Sequence, residues 1–94
     1  MQMHKPPHPG EFIRSTYLEP LGLSVRGLAK SLAVAPSTLN RILKGQSGLS
    51  PEMALRLSRV LGRTPESWMN LQDQYELFLA RQRLTLDDLT PVAL

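Results

Sequence analysis

The chain contains no cysteine, so neither a disulfide framework nor a thiolate metal site holds it together. Its stability must come from packed apolar side chains. No apolar run is long enough to span a bilayer. Where a secretory leader would need such a run, Met1 to Gly10 carry His4, His8, Pro6, Pro7 and Pro9. No membrane partner is therefore expected, and the expected location is the cytoplasm. Alternating strand patterns, glycine-rich phosphate loops, Ser–His–Asp sets and paired carboxylates are all missing. At 94 residues the chain can build one domain but not a two-lobed enzyme with a cleft. Neither catalysis nor a cofactor is expected. His4 and His8 have a four-residue spacing that would suit a metal on a helix, yet the prolines among them forbid a helix there.

Acidic residues are also missing from one long interval. Between Glu19 and Glu52 there is none, while Arg26, Lys30, Arg41 and Lys44 fall inside it. Arg56, Arg59 and Arg63 follow, and from Thr64 onward the sign reverses with Glu66, Asp73, Glu76, Asp87 and Asp88. The net charge of +3 is modest, but this distribution describes a polyanion-facing middle and a protein-facing or solvated end.

What is present in abundance is helix punctuation. Ser24, Ser50 and Thr64 stand where N-caps belong, and Gly22, Gly45 and Gly62 close apolar-periodic stretches. They predict an all-α fold of five helices. The first runs from about Pro9 to Glu19 and is closed by Pro20 and Gly22. The second starts after Ser24 and buries Val25, Leu28, Ala29 and Leu32. The third runs from Pro36 to Gly45 on an apolar side of Leu39, Ile42 and Leu43. The fourth begins at Ser50-Pro51-Glu52 and the fifth at Thr64-Pro65-Glu66, two copies of one starting device: a hydroxyl acceptor, a proline preset in φ, and a carboxylate at the positive helix end. The fifth reaches about Gln82. Residues 1–8 read as a flexible leader, 9–83 as the folded domain and 84–94 as an extended or disordered tail.

The stretch 24–45 carries the function. Two short helices joined by the turn Ala33-Val34-Ala35 form a helix-turn-helix, in which the second helix projects from the surface. Val34 is expected to plug the turn into the core, and Ala29 to allow close helix contact. Pro36, Ser37, Thr38, Asn40, Arg41 and Lys44 are then left to meet DNA. Arg pairs bidentately with guanine and Asn with adenine, while Ser and Thr reach base edges or phosphates. Arg26 and Lys30 on the preceding helix are expected on phosphates. One such helix contacts only a few base pairs, so a homodimer on an inverted repeat of double-stranded DNA is expected. Its seam would lie on the fifth helix at Trp68, Leu71, Tyr75, Phe78 and Leu79. Aromatic side chains at this spacing belong to a core or an interface rather than a ligand cage.

These residues resemble the HigA-type antitoxins within the lambda-repressor-like (Xre) helix-turn-helix group. The resemblance covers His8 to Arg83. It rests on the opening His8-Pro9-Gly10-Glu11, Leu28-Ala29, the runs VAPSTLNRILKG from Val34 and LSPEMALRLSRVLG from Leu49, and TPESWMNLQDQYEL from Thr64. Two departures stand out: Ala33 replaces the glycine common in the turn of the wider group, and Ala35 stands where Ser or Thr often caps. The resemblance implies a five-helix bundle, homodimerisation, repression of the chain's own operon, and binding of a HigB-type toxin, an mRNA-cleaving ribonuclease of the RelE-like class. The alternatives are a stand-alone regulator without a toxin and an interaction module that has lost DNA binding.

Overall fold

The structure is a computed structural model that describes residues 5–93. His4, with the first half of the expected leader, and the final residue of the tail lie outside the described residues. Among those described there are helices and connecting segments but no strands.

The first helix, α1 (residues 9–21), is continuous but changes pitch. Pro9–Ile13 is α-helical, Arg14–Leu18 is π-helical, and Glu19–Leu21 is α-helical again. It therefore runs through Pro20, beyond the expected end near Glu19. Proline lacks the N–H that would bond the carbonyl one turn back, and its ring crowds that carbonyl. Widening the preceding turn relieves both problems: the Glu19 N–H bonds back to the Arg14 carbonyl five residues away. Gly22, at φ 64° and ψ 31°, then ends the helix in the left-handed region that glycine adopts without a steric penalty.

Four further helices follow: α2 Val25–Leu32, α3 Pro36–Leu43, α4 Pro51–Leu61 and α5 Pro65–Arg83. Ser24, Ser50 and Thr64 cap α2, α4 and α5 by accepting from the N–H groups of Gly27, Met53 and Ser67. The core takes Ile13 and Leu18 from α1, Leu28, Ala29 and Leu32 from α2, and Leu39, Ile42 and Leu43 from α3. Met53, Ala54 and Leu57 from α4 and Trp68 from α5 complete it, with Leu49 from the preceding loop.

Trp68 is 0% exposed. Its indole N–H donates to the Gly62 carbonyl at 2.8 Å, and its ring meets Phe12 and Tyr17 at centroid distances of 5.8 and 5.9 Å. The Arg63 guanidinium covers Phe12 and Trp68, 4.8 and 5.4 Å from their centroids. Gln72 is the one buried polar residue among those described. Its Oε1 accepts from the Leu49 N–H at 2.8 Å, pinning the loop between α3 and α4 to α5, while its Nε2 donates to Glu76. A burial of this kind is tolerable because both ends of the amide are bonded. Beyond α5, residues 84–93 are exposed and non-helical, with one turn in which the Leu89 N–H bonds to the Leu86 carbonyl.

Candidate nucleic-acid interface

The geometry of the helix pair is set in the turn. α2 ends with Ala33 at φ 58° and ψ 42°. The Val34 N–H reaches the Ala29 carbonyl at 3.0 Å and the Ala33 N–H reaches Lys30 at 3.1 Å. This pair of bonds is a Schellman closure, which redirects the chain sharply and satisfies carbonyls the helix end would leave free. Val34 is half-buried and packs against the core, as the sequence leads one to expect. Ala35 is extended and gives α3 no side-chain cap; Pro36 opens the helix.

One contact from elsewhere fixes the turn that leads into α3, and two hold α3 itself. The first comes from Arg56 on α4, whose Nη1 donates to the carbonyl of Leu32 at 2.8 Å while its Nη2 pairs with Glu52 at 2.9 Å. At the C-terminal end of α3, Arg14 Nη2 donates to the Leu43 carbonyl at 3.0 Å, placing a cation at the negative end of the helix. Gly10 lets α1 cross α3 at backbone contact, since a Cβ there would overlap the Ile42 carbonyl oxygen.

With Leu39, Ile42 and Leu43 buried beneath it, α3 presents Ser37, Asn40, Arg41 and Lys44 outward, all exposed. Their three- and four-residue spacing gathers them into one stripe. Pro36 is exposed beside the start of the helix, whereas Thr38 is half-buried at the flank of the stripe. Arg26 and Lys30 are exposed one turn apart on α2. No carboxylate lies on α2, α3 or the turn between them, so this surface is cationic and rich in hydrogen-bond donors. It can hold a polyanion by its charge and discriminate base edges by its amide and guanidinium.

The helix-turn-helix family model HTH_3 matches residues 16–68. Virulence-associated protein I of Dichelobacter nodosus is 48% identical over 75 residues, 80% of this chain and 69% of that protein. Antitoxin HigA-1 of Vibrio cholerae serotype O1 is 33% identical over 79 residues, 84% of this chain and 74% of that protein. The chain belongs to the HigA-type antitoxins of the helix-turn-helix family. Its fold matches that of the antitoxin GraA in complex with its operator at a TM-score of 0.88, with 37% identity across 100% of this chain and 98% of that one. The five-helix, lambda-repressor-like architecture and the DNA-binding, regulatory class expected from the sequence follow from these findings.

Some details of the expected site change. Trp68 cannot contribute to a dimer seam, because its side chain is consumed entirely by the core of its own chain. Phe78 is buried as well, while Leu71 and Tyr75 are half-buried and Leu79 is 37% exposed. Thr38 presents less of itself to a ligand than the other residues of its group. Residue 8 is no part of a leader: His8 Nδ1 accepts from the Gly10 N–H at 2.9 Å, capping α1, and its ring packs edge-on against Tyr75 at 4.9 Å. Partial burial lowers its pKa below 6.5, a shift opposed by a hydrogen bond with the Ser47 backbone and by the charge of Glu11. Among the described residues no group of side chains is arranged to hold a metal, and no helix is long and apolar enough to cross a membrane.

Sequence reasoning missed Arg56 and Arg14 as supports of the site. The spacing of Glu52 and Arg56 signals a helical ion pair, but not that the second half of the guanidinium reaches the turn. Arg14 and Leu43 are 29 residues apart, and no local pattern links them. Gly10, a glycine inside a helix, was the readable sign of a close crossing.

Proposed function

We propose that the chain binds an inverted-repeat operator as a homodimer, represses the operon that encodes it, and neutralises a HigB-type mRNA-cleaving toxin in the cytoplasm. The observation that carries the DNA reading is the stripe Ser37, Asn40, Arg41 and Lys44 on a helix anchored from below and at its C-terminal end, behind a turn that Arg56 holds. In this reading Arg41 and Asn40 contact bases, with Ser37 and Thr38 at the flank and Pro36 shaping the approach. Arg26, Lys30 and Lys44 meet phosphates, and the uncapped start of α3 is free to receive one. The likeness to an antitoxin in complex with its operator supports DNA as the partner.

Support for a homodimer comes from the outer face of α5. Asp73, Glu76, Leu77, Leu79, Ala80 and Arg83 line a shallow concavity of about 670 Å³. Its acids lie toward one end of the stripe and its arginine at the other, with Leu77 49% exposed between them. A two-fold interface needs a patch that complements itself. Antiparallel pairing of this stripe sets Asp73 and Glu76 against Arg83 of the partner subunit over an apolar middle. Leu71, Tyr75 and Leu79 are the candidates for its margin.

The toxin reading is tested by expressing the gene adjacent to this one. The product alone should arrest growth and cleave mRNA; together with this chain it should be inactive and co-purify. A harmless neighbour that does not bind would leave a stand-alone repressor. The DNA reading is tested by gel shift on the chain's own promoter, where tight, salt-sensitive and sequence-specific binding is expected.

A further inference from the structure

Between the end of α1, the side of α2 and the outer face of α4, two concavities of about 590 and 320 Å³ share Ser31 and Val60. Leu21 and Leu23 stand at one end, Val60 in the middle and Leu55 at the other, all exposed, with Leu21 and Leu55 at 63% and 60%. Arg59 lies along the wall. An apolar furrow of this extent is not a surface for DNA, and single-chain packing leaves it open.

The C-terminal segment has the matching character. Leu84, Leu86, Leu89 and Val92 are exposed, the last two at 71% and 81%. The turn closed between Leu86 and Leu89 carries Asp87 and Asp88 at its tip. We infer that the leucine-rich tail of a second copy of the chain docks in this furrow, its aspartates facing Arg59. The inference rests on the two-fold pairing proposed above.

Geometry favours the partner's tail over the chain's own. α5 has 19 residues and is about 28 Å long at 1.5 Å per residue. A chain's own tail leaves from the end of α5 remote from Leu61 and Gly62, where the furrow lies. Antiparallel pairing reverses this: it brings Arg83 of the partner subunit opposite Asp73, leaving about 12 Å of helix axis to the start of α5. About four residues of non-helical chain span that distance at roughly 3.3 Å each, so the acidic turn arrives beside Val60. Charge agrees, because an apolar-acidic segment meets an apolar furrow with a cationic wall.

The absence of cysteine makes a clean test possible. Full-length chains carrying Val60→Cys or Leu89→Cys, distinguishable by a tag, are mixed and oxidised. The expected product is the mixed disulfide dimer, one chain of each kind. Asp87→Arg with Asp88→Arg in the Leu89→Cys chain should lower its yield severalfold, and Arg59→Glu in the Val60→Cys chain should restore it. An intramolecular bond in the doubly substituted chain without mixed dimer would overturn the inference in favour of the chain's own tail. No bond at all, in a protein that sediments as a dimer and binds operator, would overturn it while leaving the operator reading intact. A full-length chain that sediments as a monomer would remove the pairing itself.

Discussion

The guanidinium of Arg56 crosses from α4 to the last residue of α2 and donates to the carbonyl of Leu32 at 2.8 Å, with the Ala33 carbonyl 3.4 Å away. It thereby ties the turn that aims α3 to a helix outside the DNA-facing pair. The charge-assisted bond to a helix-terminal carbonyl is of the stronger kind, and Glu52 fixes the fork from behind. Arg56→Ala should cost about 1–3 kcal/mol of stability in urea denaturation. It should lower operator affinity by more than the folded fraction accounts for, because α3 loses its angle. Equal affinity per folded molecule would limit Arg56 to a stabilising role.

Ala33 sits at φ 58°, where a Cβ crowds the backbone at a cost of about 1–2 kcal/mol. Ala33→Gly removes that strain and returns part of it as extra freedom of the unfolded chain. A net gain of about 0.5–1 kcal/mol is expected, seen as a higher urea midpoint at an unchanged slope. A lower midpoint would mean that the turn accommodates Ala33 without strain.

Gly10→Ala tests the crossing of α1 over α3. The added methyl overlaps the Ile42 carbonyl, a backbone atom that cannot swing aside, so one helix must move. A loss of about 1–3 kcal/mol is expected. The operator contacts should weaken with it, since Ile42 adjoins Arg41. Thermal melts and gel shifts on the same preparation check both.

His8 makes stability depend on pH. Its Nδ1 accepts a hydrogen bond from Gly10 and can do so only unprotonated, and its pKa in the folded chain is lowered from 6.5. The folded state thus favours the neutral ring. This contribution is complete above pH 6.5 and is lost as pH falls from there through the lowered folded pKa. Denaturation at pH 7.5 and at pH 5.5 should differ more for the native chain than for His8→Asn, which keeps a capping oxygen but does not titrate. An identical difference in both would assign the pH dependence elsewhere.

Much of the fold was legible because its helix ends are chemically marked. Ser24, Ser50 and Thr64 accept the bonds their positions imply, and the stripe through Ser37, Asn40, Arg41 and Lys44 follows from the burial of Leu39 and Ile42. What was not legible depends on contacts between distant parts of the chain. Pro20 reads as a stop, and only the π turn before it lets α1 continue. Trp68 reads equally well as core or seam until the rings of Phe12 and Tyr17 and the Gly62 carbonyl close around it. His8 looks like part of a proline-rich leader until Tyr75 and Ser47, from helix and loop far along the chain, pack on it.

On the proposed function, the outward stripe of α3 reads a two-fold operator. DNase footprinting of the chain on the DNA upstream of its gene, beside Arg41→Ala and Lys44→Ala, tests it most directly. Protection of an inverted repeat whose half-sites are about 10 base pairs apart is expected. Arg41→Ala should lose about 1–3 kcal/mol and blur the preference for the repeat. Lys44→Ala should weaken all DNA similarly and reduce the salt slope by about one. Protection of a single non-palindromic half-site at full affinity by a monomer, or a footprint that Arg41→Ala leaves unchanged in strength and sequence preference, would contradict it.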